Sequence, residues 1–312
     1  MGAVRSIFNE NFFPGEPKFT AMDVPDMSGK VVLVTGGNAG IGKETARVLL
    51  TKNAKVWITA RDKSKGEATL TELKNSTGHD AHLLLLNLAN LKNVKAAAEE
   101  FLNREQQLHV LFNNAGVMTP PIDQFTDDGY DLQFGTNVLG PSYFTKLLLP
   151  LLQSTAKSSP DGFARVVHTS SNAHWFSGLK FDTWRDGPAR KKESTMALYG
   201  QSKTGNIVFS AELTRRYGDQ GIISVSLNPG VIKTELQRHT GAVGQALMSC
   251  LLRDVSYGVI NQLYAGTIPD GASLNGKYLV PWARIGKPHA DTQDPVLGKK
   301  LWTWLEEQVA NV

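Results

Sequence analysis

Short apolar runs alternate with longer amphipathic segments along almost the whole chain. VVLVTG (31–36), VWIT (56–59), AHLLLLN (81–87), LHVLFN (108–113), ARVVHTS (164–170), IISVSLN (222–228) and KYLVPW (277–282) read as seven strands. Most are apolar at consecutive positions, as strands buried on both faces are. Between them, Ile41–Lys52, Asp62–Asn75, Leu91–Gln107, Tyr130–Gln153 and Leu198–Tyr217 read as helices. Val94, Ala97, Ala98, Phe101 and Leu102 give one of these helices an apolar stripe at helical spacing. Strand–helix alternation predicts one doubly wound α/β domain of the Rossmann type, with a mostly parallel seven-stranded sheet covered by helices on both faces. Residues 1–29 form an arm before it, in which Pro14, Pro17 and Pro25 oppose a helix while Phe12, Phe13 and Phe19 offer packing surface. Residues 30–312 form the domain, interrupted at about 232–275 by a partly apolar helical insertion expected on the substrate side.

Composition narrows the class. Adding Gly to the hydrophobic fraction of 41% brings the apolar share into the globular range, which excludes disorder for the bulk of the chain. Net charge is +4 from 33 basic and 29 acidic residues, with no dense basic run and no basic stripe interleaved with aromatics, so a nucleic-acid partner is not expected. The single cysteine, Cys250, excludes an intramolecular disulfide framework and a Cys-ligated zinc site. No apolar run approaches the ~18 residues of a membrane span. The N-terminal residues have no apolar signal core, so a cytoplasmic location is expected, and the Asn75-Ser76-Thr77 sequon carries little weight. Met1-Gly2 with Ser6 fits the pattern for N-myristoylation, a short pattern against which a plain arm is favoured.

The first strand runs into Thr35-Gly36-Gly37-Asn38-Ala39-Gly40-Ile41-Gly42 and then a helix. Glycines let backbone approach a phosphate, and a helix N-terminus supplies N–H donors and a positive dipole end. Gly37-x4-Gly42-Lys43 nearly completes a P-loop, but Glu44 stands where a magnesium-binding hydroxyl is required. A dinucleotide site is the better reading. No G-x-S-x-G elbow or H-E-x-x-H motif is present, and His79 with His82 lacks further ligands, so no metal site is expected.

Thr35-Gly36-x3-Gly40-x-Gly42 resembles the TGxxxGxG signature of the short-chain dehydrogenase/reductase family, and further matches follow in the family's order. Asn113-Asn114-Ala115-Gly116 resembles its NNAG, and Asn137 sits in a helix as the family's fourth catalytic residue does. Ser170-Ser171 ends the fifth strand, Tyr199-x3-Lys203 gives YxxxK, and Asn228-Pro229-Gly230 with Thr234 follows the sixth. The likeness covers about residues 28–282, and GNAGIGKETA with YGQSK is most similar to the retinol-dehydrogenase-like and fungal branches.

The resemblance implies Ser171, Tyr199, Lys203 and Asn137 as catalytic residues. It implies cofactor contacts at Gly36, Asn38, Gly40, Ile41, Gly42, Arg61, Asn87, Asn114, Ala115, Gly116, Tyr199, Lys203, Pro229, Gly230 and Thr234. Tyr199 and Lys203, four apart, share one helix face, so the ammonium is expected to lower the phenol's pKa. Two departures stand out. Asn87 replaces the usual Asp, though it can still reach adenine, and 28 residues separate Ser171 from Tyr199, a stretch holding His174, Trp175, Phe176 and Trp184. These aromatics either line a substrate pocket or only pack the insertion.

Ala60-Arg61-Asp62-Lys63 ends the second strand where the adenine ribose belongs. Arg61, with Lys63 adding potential, favours NADP(H), while Asp62 leaves NAD(H) possible. The function expected is an NADPH-dependent reductase of a ketone or aldehyde, or the reverse alcohol oxidation. The alternatives are a non-catalytic dinucleotide sensor, or an epimerase or dehydratase with bound cofactor. Leu236, Val243, Leu247, Met248, Leu251 and Leu252 suggest a lid over a bulky apolar carbonyl or alcohol substrate. A monomer or a homodimer fits equally well.

Overall fold

The computed structural model describes residues 14–233 and 252–312. Its sheet has eight strands in the order β3-β2-β1-β4-β5-β6-β7-β8. The strands are β1 (Val31–Val34), β2 (Lys55–Ala60), β3 (His82–Leu85), β4 (Val110–Asn113), β5 (Ala164–Thr169), β6 (Ile222–Leu227), β7 (Tyr278–Val280) and β8 (Arg284–Gly286). All pairs through β7 are parallel, and β8 returns antiparallel to β7. The helices that position the site are α1 (Gly40–Thr51), α2 (Lys63–Thr77), α3 (Leu91–Arg104), α4 (Gly140–Ser158), α5 (Thr195–Tyr217), α6 (Ile260–Thr267) and α7 (Pro295–Val309).

Seven strands fall where the apolar runs place them. The eighth corrects the expected count: Arg284 and Ile285 are exposed at the sheet edge, so β8 has no buried apolar run to announce it. β3, at the opposite edge, holds Leu85 in solvent at 37% exposure, so its run of leucines is not buried on both faces. β1, β4, β5 and β6 are fully buried.

Two apolar cores flank the sheet. One joins α3, α4, α5 and α7 through residues such as Phe101, Phe144, Phe209 and Trp302. The other joins α1 and α6 through Leu49, Ile260 and Leu263. The described parts of the expected insertion, residues 232–233 and 252–275, therefore help cover the sheet. Phe19, Val24 and Met27 of the arm join the second core, and Phe19 meets Tyr264 edge-on at 5.2 Å. Phe12, Phe13 and the Met1–Ser6 pattern lie outside the described residues, as do Thr234, Cys250 and most of the expected lid. Among the described residues, no helix is long and apolar enough to cross a membrane.

The helix expected over Tyr130–Gln153 is not uniform. It enters through a short α turn (Leu132–Phe134) and a π-helical turn (Gly135–Leu139), and becomes regular only at Gly140. Such π turns occur frequently at functional sites. The irregularity brings the Asn137 carboxamide against the loop after β4.

Candidate active site

Chain reversal between β1 and β4 opens a crevice at the C-terminal edge of the sheet, the usual binding place in such folds. A cleft of ≈ 650 Å³ occupies it. The loops after β1 and β4 are joined by Thr35, whose Oγ1 accepts from the N–H groups of Asn114 and Ala115, both at 3.0 Å. Asn114 Nδ2 returns a bond to the Thr35 carbonyl at 2.9 Å.

The glycines between are required sterically. Gly36 has φ +65°, and a Cβ on Gly42 would stand 2.4 Å from the Gly36 carbonyl oxygen. Ala39, the N-cap of α1, offers no side-chain bond to the first helical turn, whose N–H groups are left for an anion. Glycine backbone, free helix donors and a long cleft fit a dinucleotide. Gly36, Asn38, Gly40, Ile41, Gly42, Asn114, Ala115, Gly116, Pro229 and Gly230 all line that cleft.

At the end of the cleft reached by β2, the strand stops at Ala60 and Arg61 follows on the wall. Arg61 has no hydrogen-bond or ion-pair partner among the described residues. Asp62 also lines the cleft, but its Oδ1 caps α2 by accepting from Lys65 N–H at 2.8 Å. Lys65, not Lys63, is the second cation on the wall: Lys63 pairs with Glu67 at 3.7 Å on the exposed helix face. The N-cap at Asp62 was the available signal, since it fixes which lysine ends the first turn. Asn87 is not on the cleft wall. Its Oδ1 accepts from Ala89 N–H at 3.1 Å, and Leu86 and Leu88 face the cleft beside it.

At the other end, β5 delivers Ser171 and α5 delivers Tyr199 and Lys203, all on the same cleft. Ser171 caps a 3-10 turn, its Oγ accepting from Ala173 N–H at 3.2 Å while its hydroxyl donates to Asn172 Oδ1 at 3.1 Å. Lys203 Nζ donates to the Thr169 carbonyl at 2.9 Å and stands 5.6 Å from the Tyr199 ring centroid. Burial pushes the Tyr199 phenol up to about 12, a rise that the polar Ser171 side chain opposes. This direction is opposite to the lowering expected from Lys203, because burial disfavours the charged phenolate. Burial likewise pushes the Lys203 ammonium down to about 8.

Asn137 lies behind the cleft wall. Its carboxamide donates to the Val117 carbonyl at 2.9 Å and accepts from Val117 N–H at 2.8 Å, and Nδ2 also donates to Ser202 Oγ at 2.9 Å. Gly116 leaves room here, for a Cβ on it would stand 3.0 Å from Asn137 Oδ1.

The aromatics between Ser171 and Tyr199 divide. Phe176, 64% exposed, lines the cleft with Met118 and Met196, two methionines not anticipated from the motifs. Trp184 is core, stacked on Phe134 at 3.7 Å. His174 is buried, its Nδ1–H bonded to the Ser171 carbonyl at 2.7 Å and its Nε2 accepting from His289 N–H at 3.3 Å. Burial pushes its pKa down to about 4.

The chain is similar in sequence and fold to known proteins. The short chain dehydrogenase family matches residues 30–181. Retinol dehydrogenase 12 of Mus musculus is 37% identical over 277 residues, covering 88% of this chain and 84% of its own. An uncharacterized protein from Mycobacterium Paratuberculosis superposes with a TM-score of 0.73 at 28% identity, over 94% of this chain and 97% of that one. The Pseudomonas aeruginosa RhlG/NADP active-site complex shares the fold, with a TM-score of 0.66 at 24% identity over 85% of this chain and 97% of that one. A short-chain dehydrogenase/reductase of Armillaria gallica is 53% identical over 308 residues, 99% of either chain. That identity across nearly all of both sequences makes this chain a member of the short-chain dehydrogenase/reductase family, oxidoreductases that act on alcohol and carbonyl groups with a nicotinamide dinucleotide.

Proposed function

We propose that the protein reduces a bulky apolar ketone or aldehyde with NADPH, or runs the reverse oxidation, with Tyr199 as the acid or base. The observation that carries this is the meeting of Ser171, Tyr199 and Lys203 on the cleft that the glycine turn opens. When bound, the nicotinamide supplies or accepts the hydride. Ser171 Oγ–H donates to the substrate oxygen and fixes its position. Tyr199, held protonated by burial, gives its proton to that oxygen in reduction. Lys203 stabilises the phenolate left behind, since an ammonium nearby favours the charged form. Asn137 holds the loop after β4 through both of its bonds to Val117.

Arg61 and Lys65 beside the ribose end support NADPH, because a 2′-phosphate offers a guanidinium charge-assisted bonds that a 2′-hydroxyl does not. Phe176, Met118 and Met196 support an apolar substrate, thioethers adapting readily to irregular apolar shapes. The test is the loss of NADPH absorbance against a panel of ketones, aldehydes and quinones graded in size and polarity. Turnover should be fastest with large apolar carbonyls. No turnover with any of them, or faster reduction of small polar ketones, contradicts the proposal.

A further inference from the structure

Helix α6 carries two consecutive side-chain amides, Asn261 and Gln262, both fully buried. Burying an amide is unfavourable unless its hydrogen bonds are made. Here they are made, and the partners come from the ends of separate strands. Asn261 Nδ2 donates to the Asn228 carbonyl just past β6 at 2.6 Å, and Oδ1 accepts from Ala283 N–H after β7 at 2.5 Å. Gln262 Nε2 donates to Asn114 Oδ1 past β4 at 2.8 Å and to Thr169 Oγ1 at the end of β5 at 3.2 Å. Its Oε1 accepts from the Thr45 hydroxyl of α1 at 3.2 Å.

Neither amide lines the cleft, yet their partners do or adjoin it. Asn114 and Thr169 are on its wall, the Thr169 carbonyl holds Lys203 Nζ, and Asn228 leads into Pro229 and Gly230. An apolar side chain at 262 could fill the same space but would leave Asn114 Oδ1 without its donor. Asn114 cannot turn to compensate, because its Nδ2 is committed to the Thr35 carbonyl. The position therefore demands an N–H donor.

From this geometry we propose that Asn261 and Gln262 are positioning residues, a clamp holding the cleft-facing ends of β4, β5 and β6 in register with α1. Dinucleotide affinity then depends on two side chains that never touch the dinucleotide. This rests on the cleft being a dinucleotide site.

The test uses the full chain and compares Gln262→Met and Gln262→Glu with Leu263→Ala, a core change one residue away. Dissociation constants for NADPH and NADH are read from quenching of protein fluorescence, and amide hydrogen exchange at residues 114–116 is followed without ligand. Gln262→Met should weaken both dinucleotides about tenfold or more, as leaving a buried acceptor unpaired implies. Gln262→Glu should be no better, because its carboxylate would face Asn114 Oδ1. Both should speed exchange at 114–116. Leu263→Ala should lower Tm at least as far while leaving affinity within about twofold. Unchanged affinity in Gln262→Met, or an equal loss in Leu263→Ala, overturns the clamp. Should Gln262→Met not fold, Thr45→Val removes only the link to α1, and unchanged affinity there overturns it too. If the unmodified protein binds neither dinucleotide, the functional reading fails by itself; the exchange at 114–116 then decides the clamp, and unchanged protection rejects it.

Discussion

The two ends of the cleft are built by different means. At the glycine-turn end, backbone makes the surface: positive φ at Gly36 and Gly40, missing Cβ atoms, and the first turn of α1. At the Ser171–Lys203 end, buried side chains make it: His174 under Ser171, Asn137 on Val117, and the Asp131–Arg190 pair behind the π turn. A surface made of backbone is encoded by a few consecutive residues. A surface made of side-chain bonds depends on partners far away in the chain. The two ends should accordingly fail in different ways.

The largest effect is expected at the side-chain end. Arg190 and Asp131 pair at 2.9 Å, each 2% exposed, and Asp131 Oδ1 also caps the turn leading to Asn137. Arg190→Met leaves that carboxylate buried without its cation and should cost about 3–5 kcal/mol of stability. Chemical denaturation measures it, and a loss under about 1 kcal/mol would show that the pair does not hold this end together.

Acid should also act on the side-chain end. His174, held down to about 4, refuses a proton that the unfolded chain accepts below about 6.5. The folded pKa is depressed, so stability is lost as pH falls from about 6.5 to about 4, on the order of 3 kcal/mol for this group. His109 and His168, pushed down by burial to about 4 and about 3, act in the same direction. His174→Gln should therefore flatten the pH slope of stability by one proton; an unchanged slope would contradict the burial of a neutral imidazole beneath Ser171.

The glycine end should instead lose binding before fold. Gly42→Ala places a Cβ 2.4 Å from the Gly36 oxygen and 2.5 Å from Asn114 Nδ2. Overpacking of this kind costs about 1–3 kcal/mol, which corresponds to roughly 5- to 150-fold in NADPH affinity if the turn moves away from the ligand. Calorimetric titration with Tm recorded alongside separates the two, and a fall in Tm without loss of affinity would erase the contrast between the ends. The smallest effect is expected at Arg61. Arg61→Ala should raise the Michaelis constant for NADPH about tenfold and leave that for NADH nearly unchanged. Equal effects on both would mean Arg61 is only a solvated side chain.

The same contrast explains what the sequence reveals and what it conceals. Thr35–Gly42, Asn113–Gly116 and Tyr199-x3-Lys203 are local strings, and all but Gly37, Asn113 and the residues between Tyr199 and Lys203 line the cleft or join its loops. Gln262 is invisible by that route, since it meets Thr45 across 217 positions and Asn114 across 148. The π turn around Asn137 is hidden because the apolar spacing of a long helix continues through it. β8 is too short and too exposed to leave a pattern. Helix α7 escaped because its buried Leu301, Trp302 and Leu305 follow the last expected strand, where the alternation of strand and helix no longer predicts a partner. Asn87 shows the limit of a motif in the other direction: its place in the string is right, yet its carboxamide oxygen is committed to Ala89.

Tyr199→Phe tests the account at its centre, because it removes one hydroxyl and leaves the ring that packs beside Lys203. Dissociation constants for NADPH and single-turnover rates on a carbonyl that the unmodified enzyme reduces are measured on the same preparation. Affinity for NADPH should stay within about twofold, while turnover falls about 100- to 10,000-fold, the loss expected when the group that moves the proton is gone. A Tyr199→Phe protein that keeps turnover within a few-fold of the unmodified enzyme would contradict the assignment of Tyr199 as the proton donor.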